Sequence, residues 1–268
     1  QIISAGVERV KYAVGVEYRG SAYCGWQRQS HCDSVQQNIE QALGFVADHP
    51  VELVCAGRTD TGVHAIQQVA HFESSAERNE RAWMLGANCR LPRDIRIKWV
   101  LPVSDDFHAR FSAKARAYRY LIVNSPVPSA LFHDLSAWEY RDLDHASMHA
   151  AAQCLLGEHD FSSFRAAGCQ AKSASRNVQE ISVSRQGDMV MLDVKANAFL
   201  YHMVRNIAGS LMAVGRGEQG LGWIAHLLAT GNRNLAAPTA PAAGLYFLYA
   251  DYDVQFKLPA GDKKPVLF

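Results

Sequence analysis

Apolar and polar residues alternate over residues 11–18, KYAVGVEY, with Tyr12, Val14, Val16 and Tyr18 on one face. A period of two predicts a strand. The period then lengthens. Val35, Ile39, Ala42, Leu43 and Val46 recur at helical spacing, behind a Ser34–Gln37 pair suited to a capping box. VELVC (51–55) predicts a short buried strand, a loop from Gly57 to Gly62 follows, and IQQVAHFES (66–74) predicts another strand. A helix over about 78–90, stopped by Leu91-Pro92, and a strand IRIKWVLPV (95–103) complete a β-α-β-β-α-β series.

The series recurs in the second half. AYRYLIVN (117–124) predicts a strand and DHASMHAAAQCLLGE (144–158) a helix. VQEISVSRQGDMVMLDVKA (178–196) predicts a hairpin turning at Gln186-Gly187-Asp188. Phe199, Leu200, Met203, Val204, Ile207, Ala208 and Leu211 mark a helix from Phe199 to about Val214. A further helix over about 219–230 and a closing strand GLYFLYADY (244–252) complete the pattern. The fold class expected is α+β: two ferredoxin-like halves, 1–106 and 107–268, forming an extended, mostly antiparallel sheet with helices on one face. The joint falls at residues 105–110, and the tail from about 256, ending KLPAGDKKPVLF, reads as an exposed arm.

Composition narrows the picture. No window approaches the ~18 consecutive apolar residues of a membrane span. The opening QIISAGVERVKYAV lacks a basic region followed by an apolar run and small cleavage residues. A cytoplasmic protein without membrane partners is expected. Cys24, Cys32, Cys55, Cys89, Cys154 and Cys169 form no C-x-x-C and no zinc-ligand spacing. They read as reduced, mostly structural thiols, and no metal site is expected. The net charge of +1 says little by itself. Its distribution says more: residues 90–119 hold eight Lys or Arg against three Asp. Such a segment suits a polyanion.

AGRTDTGVHA (56–65) carries the candidate chemistry. Asp60-Thr61-Gly62 imitates an aspartic protease signature, but that chemistry needs two carboxylates sharing a proton. The chain has one such motif, and Arg58 two residues away favours an ionised Asp60. A carboxylate held charged suits a nucleophile, or a stabiliser of an oxocarbenium-like sugar centre. The bland alternative is a turn-capping Asp60 paired structurally with Arg58. Along 114–120, Lys114, Arg116, Tyr118 and Tyr120 alternate onto one face, with Arg119 breaking the apolar pattern of the other. Cations for phosphates and rings for bases suit nucleic acid, and stacking one base contributes ~1–3 kcal/mol. Arg205 sits in a helix among apolar neighbours and needs an anionic partner, for which Asp60 is a candidate.

Taken in order, GWQRQ, AGRTDTGVHA, DDFHARFSA, YRY, DFSSF and FLYHMVRNIAGSL resemble the bacterial tRNA pseudouridine synthase A family over essentially the whole chain. Thr61 departs from the family's usual Ala. The resemblance implies the pseudouridine synthase fold and an isomerase, an intramolecular transferase that breaks the N1–C1′ bond of uridine, turns the base and rejoins it through C5. No cofactor is implied. Asp60 matches the catalytic aspartate, Tyr118 the tyrosine that stacks on the target uracil, and Arg205 the arginine paired with the aspartate. Arg58 matches a residue that helps hold the base out of the stack, and Leu245 an apolar pocket wall. Arg78, Arg110 and the stretches Phe107, His108, Ala109, Arg110, Phe111 and Gly168, Cys169, Gln170, Ala171, Lys172 match regions that touch tRNA. Lys114 and Arg116 extend that expected RNA surface. The implied substrate is the tRNA anticodon arm, at positions 38, 39 and 40, and the implied assembly a homodimer. The rival reading is a non-catalytic ferredoxin-like RNA-binding or tRNA-folding protein. It accounts for the basic segment and Tyr118, but not for a carboxylate in a glycine-framed loop.

Overall fold

The computed structural model describes residues 9–261. These divide into two compact units: residues up to Lys114 with those from Leu248, and Ala115–Phe247. The division falls after the expected joint at 105–110, and the residues from Leu248 cluster with the first unit.

In the first unit, β1 (Val10–Tyr18), α1 (Val35–Ala47), β2 (Val54–Cys55), β3 (His64–Ser74), α2 (Glu80–Asn88) and β4 (Ile95–Pro102) follow the expected series. The strand order β4-β1-β3, with β2 pairing β3, is antiparallel throughout. Val14 stands opposite Ala70 on one side and Val100 on the other. The alternation seen in the sequence buries Tyr12, Val14, Val16 and Tyr18 together with Ile39, Leu43, Phe72, Trp83 and Ile95. Burying such side chains is the main favourable term in folding. Ser34 caps α1 by accepting a hydrogen bond from the Gln37 N–H. The strand expected over 51–55 shrinks to Val54–Cys55, because only these residues pair with β3.

In the second unit, β5 (Ala115–Asn124) runs antiparallel to β9 (Met189–Ala196), which pairs β8 (Ser175–Gln186), which pairs β7 (Gly157–Asp160). β6 (Ala137–Glu139) lies parallel to the end of β5. The helices are α3 (His145–Ala152), α4 (Met203–Gly215) and α5 (Trp223–Thr230), and β10 (Leu245–Asp251), whose residues from Leu248 cluster with the first unit, closes the series. The second β-α-β-β-α-β half is therefore present, with β6 and β7 as additions. All three helices are shorter than expected, α5 starting at Trp223 rather than near 219. Gly157, at φ +91, turns the chain into β7 where helix was expected. His202, at φ 58, blocks helix before Met203, since a left-handed residue cannot continue a right-handed helix.

The expectation of six reduced thiols is corrected. Cys24 and Cys32 are paired as a disulfide across a short loop, with Cα atoms 6.2 Å apart. Cys55, Cys89, Cys154 and Cys169 are free. Among the described residues, no helix is long and apolar enough to cross a membrane. Residues 262–268 of the expected arm, like the opening eight, lie outside the described residues.

Candidate active site

The loop between β2 and β3 is built from backbone anchors. The Ala56 N–H donates to Val69 O at 2.8 Å, and the buried Gln68 donates its Nε2–H to Gly57 O at 2.7 Å. Thr59 turns inward, 7% exposed; its hydroxyl lies 2.7 Å from the Tyr18 hydroxyl, and its carbonyl accepts from the Trp26 N–H at 3.0 Å. Asp60 O accepts from the Val63 N–H at 3.1 Å, closing a turn through Gly62, whose φ of 79 suits glycine. His64 then accepts the Gly20 N–H at Nδ1, 3.0 Å away. Arg58 is left exposed and Asp60 half-buried. An anchored loop presenting a carboxylate and a guanidinium is the preorganisation that charge-stabilising chemistry needs.

Burial pushes the Cys55 thiol up to about 12, while the Arg58 charge, then the Gly57 and Cys55 backbone, then the Arg110 charge pull it down.

Residues 107–111 separate into anchors and exposed groups. Phe107 and Ala109 are fully buried, so their side chains serve the core. His71 Nδ1 accepts the Ala109 N–H at 3.1 Å, and Tyr252 donates to Ala109 O at 2.6 Å. His108 Nδ1 accepts the Arg110 and Phe111 N–H groups at 3.2 Å each. The ring of Phe111, 76% exposed, tilts over His108 at 4.3 Å with the Arg110 guanidinium 5.6 Å away. An exposed ring beside a cation suits an unstacked base. Arg78 is exposed immediately before the Asn79 cap of α2.

In the second unit, Tyr118 is 8% exposed, edge-on to Phe199 at 4.9 Å and to Phe247 at 5.2 Å. Tyr120 is fully buried and donates to Pro241 O at 2.7 Å. Both tyrosines of the expected alternation are buried, Tyr118 retaining slight exposure. Arg119, breaking the alternation, is buried and makes two hydrogen bonds to Asp193 at 2.7 and 2.9 Å. Lys114 precedes β5 and pairs with Asp253 at 2.7 Å, and Arg116 donates to Asn197 O at 3.1 Å. Arg205, the third residue of α4, donates its Nε–H to Ala240 O at 2.8 Å. Leu245 is buried at the start of β10.

The 168–172 stretch is held by Arg165, whose Nη2 donates to the carbonyls of Cys169 and Ala171 at 2.8 and 2.9 Å. Gly168, Gln170 and Lys172 are exposed. Burial raises the Cys169 thiol, yet the Tyr201 and Ala171 N–H groups and Arg165 outweigh it and hold it below the ordinary thiol range. Three anchors were invisible to the motif reading: Tyr18, Gln68 and Ala240. Tyr18 and Gln68 lie within periodic strands and read as core, Ala240 lies in an irregular segment without a period, and nothing local tells that each grips a functional element.

These features place the chain in a class: an α+β protein of two β-α-β-β-α-β halves, with an anchored, glycine-framed loop carrying Asp60. The family described as tRNA pseudouridine synthase matches residues 15–112 and 151–253. The tRNA pseudouridine synthase A of Hydrogenovibrio crunogenus is 61% identical over 247 residues, covering 92% of this chain and 94% of its own. Those of Photorhabdus laumondii and Escherichia fergusonii are each 54% identical, covering 96% of this chain and 97% and 95% of their own. The chain belongs to the tRNA pseudouridine synthase family and is an isomerase.

Proposed function

We propose that this protein isomerises uridine to pseudouridine at positions 38, 39 and 40 of the tRNA anticodon stem-loop, with Asp60 as the catalytic carboxylate. The observation carrying this reading is the Gly57–Gly62 loop, anchored at Gly57, Thr59 and Asp60, in which Asp60 follows an inward-held Thr59. The chemistry breaks the N1–C1′ bond, forms C5–C1′, moves the C5 proton to solvent or a base, and restores a proton at N1. Nothing is oxidised or reduced. Two routes use an ionised carboxylate: bonding to C1′, or removal of the C2′ proton to give a glycal. Tyr118 stacks on the uracil, Arg58 holds the extruded nucleotide, Leu245 walls the base pocket and Arg205 binds the substrate. Extrusion costs a few kcal/mol of stacking, offset by such contacts.

Arg78, Arg110, Phe111, Arg116 and the 168–172 stretch engage the tRNA, and Lys114 adds less because it is already paired with Asp253. The protein acts in the cytoplasm as a homodimer. Several target positions without a common sequence fit recognition by shape and phosphate, which positions a substrate without reading bases. The test maps pseudouridine in unmodified tRNA by chemical adduct and primer extension. Asp60→Asn and Asp60→Ala are expected to abolish all three modifications while retaining tRNA binding. Turnover near that of the unmodified protein in either variant refutes the assignment.

A further inference from the structure

We infer that the Tyr18 and Thr59 hydroxyls form a buried pair that positions Asp60 for the chemical step, making Tyr18 a positioning residue of the reaction. The inference rests on Asp60 being the reacting carboxylate.

Thr59 is buried while the residues around it, Arg58, Asp60 and Thr61, reach the surface to varying degrees. It is the inward anchor at the centre of a loop whose ends are glycines. Its hydroxyl meets the Tyr18 hydroxyl at 2.7 Å, across 41 residues of sequence. Tyr18 is the last residue of β1 and 3% exposed, and its ring tilts against Trp26 at 5.9 Å. The same Trp26 donates its N–H to Thr59 O, the carbonyl of the peptide that leads into Asp60.

Gly25 completes the grip. A Cβ on Gly25 would come within 2.5 Å of Thr59 O and 3.0 Å of Asp60 C, so only glycine lets the 23–26 segment lie against both ends of the Asp60 residue. Gly25 also has φ +91, a second reason for glycine there. One clamp, from Gly25 and Trp26, fixes the backbone around Asp60. The other, the hydroxyl pair, fixes the depth of the preceding residue. Together they set where the carboxylate stem leaves the protein. A reacting group displaced by ~1 Å can lose on the order of 100-fold in rate. Functional side chains are held to such tolerances by the groups behind them.

The experiment measures single-turnover pseudouridine formation over a range of enzyme concentrations, with tRNA binding and thermal unfolding measured on the same preparations. Tyr18→Phe and Thr59→Val are expected to slow the saturated rate by on the order of 10- to 100-fold with half-saturation changed by less than about 2-fold. Thr59→Ser keeps the hydroxyl and is expected to stay within about 3-fold of the parent. The double variant Tyr18→Phe/Thr59→Val is expected to be no slower than either single one, since both remove one interaction. A Tyr18→Phe rate within about 2-fold of the parent overturns the inference, as does a loss confined to tRNA binding. So does a Thr59→Ser variant as slow as Thr59→Val. Should Tyr18→Phe fail to fold, the Thr59 pair decides alone. Asp60→Asn is run alongside. If it is active, the catalytic reading and this inference fall together. If it is inactive while Tyr18→Phe is unimpaired, only the positioning role falls.

Discussion

Two side chains hold positions where chemistry and burial conflict. Arg119 is buried in β5, where the two-pronged contact with Asp193 offsets the cost of burying its charge. Asp193→Ala is expected to lower stability by about 2–3 kcal/mol, below the full cost of orphaning a buried charge because Asp193 is itself partly exposed. Denaturant unfolding checks it, and a loss under about 0.5 kcal/mol would show the pair to be dispensable. His71 presents the opposite case. It is 8% exposed, and burial, then His108, then Lys11 lower its pKa to about 4. Neutral Nδ1 is what the Ala109 N–H requires as acceptor. Because the folded pKa lies below the unfolded value of roughly 6.5, the unfolded chain binds the extra proton between the two. Stability therefore falls as pH drops from about 6.5 toward 4 and is insensitive to this group above that range. His71→Gln, which keeps an acceptor but does not titrate, is expected to flatten that part of the unfolding-versus-pH curve. An unchanged slope would remove His71 from the account.

At the scale of elements, α4 is governed by a strap. Residues 238–241 cross it, tied by Thr239 Oγ1 to Asn206 Oδ1 at 2.6 Å, by the Ala240 N–H to Arg205 O at 3.2 Å, and by Arg205 Nε to Ala240 O. Arg233 braces the same Asn206 oxygen at 3.0 Å. A Cβ on Gly209 would sit 2.2 Å from Pro238 O, so the strap lies on bare helix there. Gly209→Ala is expected to cost about 1–3 kcal/mol through overpacking. It is also expected to slow pseudouridine formation by loosening the carbonyl that holds Arg205. Thermal unfolding and the single-turnover assay read the two effects separately. Such relations mark where sequence reading stops. β1, α1 and the β8–β9 hairpin are legible because each carries its own period and its own punctuation, Ser34 for the helix and Gly187 for the turn. β6 has three residues, too few for a period, and exists because β5 offers it a partner. β7 is polar on both faces and is stabilised by pairing with β8. At the site, the Gly57–Gly62 loop is legible because its signals are contiguous. The burial of Tyr118 is not, because alternation reveals a face without revealing that Phe199 and Phe247 cover it.

For the molecule as a whole, charge is the property the fold changes most. Eight basic residues between 90 and 119 suggest a broad cationic surface on a protein of net charge +1. The structure engages several of them: Lys98 with Glu17 at 2.8 Å, Lys114 with Asp253 and Arg119 with Asp193. Arg90 lies over the Phe45 ring at 4.0 Å. A cation already beside a carboxylate displaces few counterions from RNA, because its own field is largely cancelled. The number of phosphates neutralised by the protein is therefore smaller than the basic count, and the dependence of tRNA affinity on salt should be correspondingly shallow. Individual residues separate the contributions. Arg110, exposed beside Phe111, is expected to contact a phosphate, so Arg110→Gln should weaken tRNA binding and reduce the slope of log K against log salt by roughly 0.7–0.9. Lys98→Gln removes the same formal charge but only dissolves a surface pair with Glu17, so its slope should match that of the parent protein. Equal changes in the two slopes would mean that tRNA responds to total charge rather than to the position of particular cations.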